Sequence, residues 1–133
     1  MLTRAIHLGE GKFNIVDVYE DDSEVTVTPT GVQGGKGAHS IASKFMLGAI
    51  ASCFGQAVLY AAGRLGFDEP DDLVLSVEGS KDKEKFQLGG ITVTVEAAAR
   101  QGDLEAMIDM AKDYCFVSNS LTCPVKHVAI ARS

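Results

Sequence analysis

The sequence has only three cysteines, an odd number at wide spacings, so it carries no disulfide framework. It has no surplus of positive charge. Twelve Lys and Arg against eighteen Asp and Glu leave a net charge of -6 at pH 7, which argues against non-specific binding to DNA or RNA. No CxxC, CxxH or HxxxH spacing occurs, so a zinc site would have to be assembled from His7, His39, His127 and the cysteines over long separations. Neither a metal nor another cofactor is expected. No apolar stretch of signal-peptide length follows Met1 to His7, and a cytoplasmic protein is expected. Repeats, low-complexity tracts and linkers are also absent, which fits one domain over residues 1–133.

What is present has an ordinary globular balance, 46% hydrophobic and 23% charged. The N-terminal third alternates. Leu2, Arg4, Ile6 and Leu8 interleave with Thr3, Ala5 and His7, a second run carries Phe13 and Ile15 towards Tyr19, and Val25 and Val27 mark a third strand. The glycine-rich stretch Gly31 to Gly37 has a lysine but no following Ser or Thr, and its glycines lack P-loop spacing. It reads as a loop leading into a helix.

That helix is predicted from about Ile41 to Leu65, with Ser40 as N-cap and Gly66 as its stop ahead of Pro70. Met46, Ala49, Ile50, Cys53, Phe54, Ala57, Val58 and Ala61 fall on one helical face. From Phe45 to Gly63 there is no charge, the lower length limit for a membrane span. The glycines, Ser52 and Gln56 within it, and the half-buried strands around it, favour a core helix instead, and no membrane partner is expected.

Strands follow at Leu73–Val77 and Ile91–Val95, joined by a charged tip from Ser80 to Lys85. A second helix begins near Asp103, and Leu104, Met107, Ile108, Ala111 and Cys115 share one face of it, Cys115 at its end. A last strand covers about Val125 to Ala131. The order βββ-α-ββ-α-β is an α+β pattern with a long central helix.

The thiols are the candidates for chemistry. A free cysteine is commonly just a small buried hydrophobe. Cys53 and Cys115 differ in lying on two helical faces that should converge on one core, beside small neighbours such as Gly48, Ala49, Ser52 and Gly55. A Cys-His hydrolase has no local signature, and His127 reads as a packed or edge histidine on its strand.

Two segments resemble a known family. Ala51-Ser52-Cys53-Phe54, in a helix rich in alanine and glycine, is similar to the first cysteine helix of the OsmC/Ohr proteins, the osmotically inducible and organic hydroperoxide resistance proteins. Ala111 to Leu121, with Cys115 ahead of Val117-Ser118, resembles their second cysteine motif. Cys123-Pro124-Val125 matches the letters of that motif but not its position, and Cys123 is expected to be structural or at the surface.

The resemblance implies an intertwined homodimer and a thiol peroxidase in which Cys53 is peroxidatic and Cys115 resolving. Its substrates would be organic hydroperoxides, and its reductant an external dithiol, possible sources including a lipoylated protein. The sequence departs from the family in three places. Ser43, with Lys44 beside it, stands where a glutamate is usual, the N-terminal arginine has no match, and Phe116 replaces the proline after the second cysteine. Lys36, His39 and Lys44 are candidate substitutes for the activating cation, with Arg4 a weaker one. A second reading is therefore a non-peroxidatic member that binds an apolar small molecule at the dimer interface. A third is a redox-regulated interaction protein.

Overall fold

The computed structural model describes residues 3–10, 12–17, 24–28, 31–32, 40–82, 84–85 and 87–132. The chain forms two compact units, Met1–Met46 and Leu47–Ser133.

In the first unit, β1 (Thr3–Gly9), β2 (Lys12–Asp17), β3 (Glu24–Thr28) and the two-residue β4 (Gly31–Val32) form a sheet in sequence order, every neighbour antiparallel. The turn between β1 and β2 places Gly9 at φ 99° and Glu10 at φ 53°. A tight hairpin needs this left-handed backbone, and glycine adopts it without steric cost. β4 takes up the start of the glycine-rich stretch expected to be loop. Residues 33–39 lie outside the described set.

The helix α1 runs Ser40–Leu65, as its pattern predicts. Among the described residues, its segment Phe45–Leu65 is long and apolar enough to cross a membrane by length and composition. It is two-sided, however: Ile50, Phe54, Ala57, Val58, Ala61 and Ala62 are buried, whereas Ser52, Gln56 and Gly63 are exposed. Ala49 is exposed and Met46 only half-buried, so the apolar stripe is narrower than predicted at its N-terminal end. The helix stops at Gly66, φ 76°. Phe67 N–H donates to the Ala62 carbonyl at 2.9 Å and Gly66 N–H to Gly63 at 3.2 Å, the paired bonds of a Schellman ending.

The second sheet has the order β5 (Asp71–Asp82), β6 (Gln87–Ala98), β7 (Val125–Arg132). The central strand β6 alternates cleanly, with Ile91, Val93, Val95 and Ala97 buried and Thr92, Thr94 and Glu96 half-buried. β5 extends further into the charged stretch than expected, pairing through Asp82 with Gln87. Asp82 Oδ1 then accepts from the backbone of Glu84 and Lys85 to form the tip.

β6 and β7 are parallel, so the chain must cross over between them, and α2 (Gln101–Ala111) and α3 (Phe116–Asn119) make that crossing. One βαβ step thus sits inside the α+β order. Gln101 ties the crossover to the sheet: its amide nitrogen donates to the Ala129 carbonyl at 3.2 Å, and its amide oxygen accepts from Ala131 N–H at 3.1 Å. The side chain satisfies backbone groups on the outer edge of β7, an edge that would otherwise be open to another strand.

The core of this unit joins α1, β6 and α2. Phe54, Ile50, Leu104, Val58, Val93, Val95 and Cys115 are its largest fully buried side chains. At Gly55, α1 passes close to β5. A Cβ there would meet Leu75 Cδ1 at 3.3 Å, so glycine permits the approach that the layers require.

Candidate functional site

α1 carries Cys53 half-buried in its middle. The second sulfur arrives by a route that the sequence pattern did not predict. α2 ends at Ala111, four residues before Cys115, because the next amides bond three residues back: Asp113 N–H to Met110 at 3.1 Å and Tyr114 N–H to Ala111 at 3.0 Å. That tightens the chain out of α-helix. Cys115 does not close α2; it is the extended N-cap residue of the short α3, at φ -84° and ψ 94°. It nevertheless continues the buried face of Leu104, Met107, Ile108 and Ala111, and is itself fully buried.

All three cysteines are free thiols. Cys115 is pushed above its ordinary value of 9.0, first by burial. The Ser118 hydroxyl and backbone N–H oppose this shift, and the neighbouring Cys53 thiol adds to it through hydrogen bonding and charge. The Cys53 thiol is therefore near enough to Cys115 to disfavour its ionisation. Their environments also differ in access: Cys53 reaches solvent on the α1 surface, and Cys115 does not. One thiol can be met by a molecule from outside, and the other can be met only by its neighbour.

Ser118 was not singled out in the sequence. It stands three residues after Cys115, is buried, and its hydroxyl also donates to the Cys115 carbonyl at 3.4 Å. The three-residue spacing brings Ser118 back to Cys115 because Cys115 begins a helix rather than ending one.

A second contact holds the same segment to α1. The rings of Tyr60 and Tyr114 meet edge-on with centroids 4.9 Å apart, and Arg64 donates to the Tyr60 hydroxyl at 3.4 Å. Phe116, in the position of the family's proline, is 68% exposed. An aromatic patch thus flanks the buried sulfur.

Lys36 and His39 lie outside the described residues, as does the side chain of Lys44. Ser43 is exposed on α1, and Arg4 is exposed on β1. Cys123 is half-buried at the approach to β7. His127 is packed, as its strand pattern predicts. Its ring lies 4.8 Å from that of Phe54, and its Nε2 is buried without a hydrogen-bond partner. Burial, and then the charge of Lys112, hold its pKa below the ordinary 6.5. Among the described residues, no group of three or more His, Cys, Asp or Glu could hold a metal ion.

Solved structures share this architecture over nearly the whole chain. An organic hydroperoxide resistance protein OsmC from Legionella pneumophila is 18% identical with a TM-score of 0.70, covering 98% of this chain and 97% of that one. An OsmC-like protein from Mycoplasma pneumoniae is 17% identical with a TM-score of 0.72, covering 96% and 95%. The organic hydroperoxide resistance protein OhrB of Bacillus subtilis is 18% identical with a TM-score of 0.65, covering 97% and 98%. At these identities the likeness establishes the fold. No curated protein matches by sequence. The profile of the OsmC-like protein family does match, over residues 35–128, a span that takes in α1, β5, β6, the crossover, the start of β7 and all three cysteines. The chain belongs to the OsmC-like protein family.

Proposed function

We propose that the protein is a thiol peroxidase for organic hydroperoxides, with Cys53 as the peroxidatic and Cys115 as the resolving thiol. The observation that carries this reading is the asymmetric pair: a half-buried sulfur on α1 and a fully buried one held before α3, whose pKa the first raises. The Cys53 thiolate attacks the terminal oxygen of a hydroperoxide. The O–O bond breaks, Cys53 becomes a sulfenic acid, and the alkoxide leaves and takes a proton as an alcohol. The Cys115 thiol then attacks the sulfenic sulfur, forming a disulfide and releasing water. An external dithiol reduces that disulfide by exchange and is itself oxidised.

Burial suits the second step. A resolving thiol that stays protonated and shielded does not compete for peroxide, yet it lies beside the sulfenic acid when that forms. The aromatic surface of Tyr60, Tyr114 and Phe116 next to Cys115 favours an apolar peroxide over hydrogen peroxide. The test is dithiol-dependent consumption of an alkyl hydroperoxide. Wild type should turn over, and Cys53→Ser should lose nearly all of the rate; equal rates in the two would reject the proposal.

One observation favours the second reading, a protein that binds an apolar small molecule without peroxidase chemistry. Among the described residues, the influences that move the Cys115 thiol are burial, Ser118 and Cys53, with no cation among them, and Ser43 and Phe116 depart from the peroxidase pattern. Alkylation of Cys53 as a function of pH separates the two. Titration near the free-thiol value of about 8.5 supports the binder, and a clearly lower value supports the peroxidase.

A further inference from the structure

A polar cleft of about 340 Å³ opens beside α3, within the range of small-molecule sites. Its strand side is formed by Cys123, Val125 and His127, which alternate along the approach to β7 and its first turn of pleat, so all three present to one face. Its other side is formed by Lys112, just past the end of α2, and by Asn119 and Leu121 around the end of α3.

Two features point to the chemistry of an occupant. First, Lys112 and His127 come from different elements and line the same cavity, close enough that the lysine charge acts on the imidazole. Two groups that repel each other's protons across a cavity are both relieved by an anion between them. Lys112 is only lightly engaged elsewhere, 3.6 Å from Asp109 Oδ1 in an exposed pair that contributes little. Second, Leu121 and Val125 give the same cavity apolar walls.

We propose that this cleft is a binding site for a small monocarboxylate, its carboxylate held between Lys112 and His127 and its apolar body against Leu121 and Val125. Binding takes up a proton. In the empty cleft burial and Lys112 keep the imidazole neutral, and a bound carboxylate reverses the electrostatic part of that effect, so His127 binds a proton together with the ligand. The other groups facing His127 are the Phe54 ring, which does not titrate, Lys112, whose partner is Asp109, and the Cys123 thiol on the same face of the cleft. Ser118, which bears on the Cys115 thiol, also lines the cleft, so the site adjoins the two cysteines. Its test reads His127 and not thiol chemistry, so its failure is distinguishable from failure of the peroxidase reading.

The test uses the full chain with sodium benzoate as the probe and benzamide, a neutral molecule of the same shape, as the control. Binding is followed through the His127 ring resonances, assigned by their loss in His127→Asn. Benzoate should bind, and more tightly at pH 6 than at pH 8, with a gain that cannot exceed about tenfold per pH unit for one linked proton. It should also move the His127 titration upward. Lys112→Met, a change at an exposed side chain, should weaken benzoate binding about tenfold, the loss expected for one charge-assisted contact. Equal binding of benzoate and benzamide, affinity that does not change with pH, or a His127 titration that benzoate leaves in place would each overturn the proposal. Inorganic phosphate at the same concentration checks the apolar walls: binding weaker than benzoate supports the site as described, and equal or tighter binding contradicts it.

Discussion

His127 shows how one residue links packing to solution behaviour. Its ring is fixed against Phe54, its Nε2 has no partner, and its pKa is held down by burial and by Lys112. The unfolded chain therefore binds a proton at this residue more readily than the folded one. Its contribution to stability is whole above the ordinary value of 6.5 and is lost as pH falls through the lowered folded value. A series of urea melts from pH 7.5 to pH 5 should show this as a fall in stability on the acid side, and His127→Leu should flatten it by removing both the titration and the unpartnered nitrogen. Cys115 works in the opposite sense. Its raised pKa favours the folded thiol at neutral pH, and that advantage disappears only as pH rises through the folded value, above 9.0. His127 was legible in the sequence as a packed strand histidine, but its neighbours were not, because Phe54 and Lys112 reach it only through tertiary contacts.

At the scale of elements, most of the architecture could be read from hydrophobic period and stop signals. The alternation of Ile91, Val93 and Val95 predicts a buried central strand, and Gly66 before Pro70 predicts the helix end, because both are local effects of pleat and backbone conformation. The segment around Cys115 was misread. Leu104, Met107, Ile108, Ala111 and Cys115 keep helical spacing, yet the chain leaves the helix after Ala111 and still buries the cysteine on the same side. Period reports which side is buried; it does not report where hydrogen bonding breaks. The crossover and α1 share one core, so damage to either should be felt globally. Leu104→Ala, at a fully buried site on α2, should destabilise the protein by about 2–5 kcal/mol in equilibrium denaturation, the range for large-to-small changes in a close-packed core. Gly66→Ala, at φ 76°, should cost only about 1 kcal/mol, since it strains one residue at the helix end.

For the whole molecule, family membership supplies what the sequence alone left as resemblance: an OsmC-like fold, whose α1 and α2–α3 crossover carry two thiols 62 residues apart in the chain, the first near enough to raise the pKa of the second. Contact between the two could not be read from the sequence, because only the path of the crossover decides it. The proposed homodimer predicts a sedimentation mass about twice the 14.1 kDa of one chain, and a monomer at micromolar concentration would count against it. The central claim is that Cys53 and Cys115 form one redox pair, with Cys123 outside it. The most direct measurement treats the protein with one equivalent of an alkyl hydroperoxide, without reductant, and then alkylates and maps the remaining thiols by mass spectrometry. The account predicts a Cys53–Cys115 disulfide with Cys123 alkylated as a free thiol, and no disulfide in Cys53→Ser. Three free thiols after treatment, or a disulfide that includes Cys123, would contradict it.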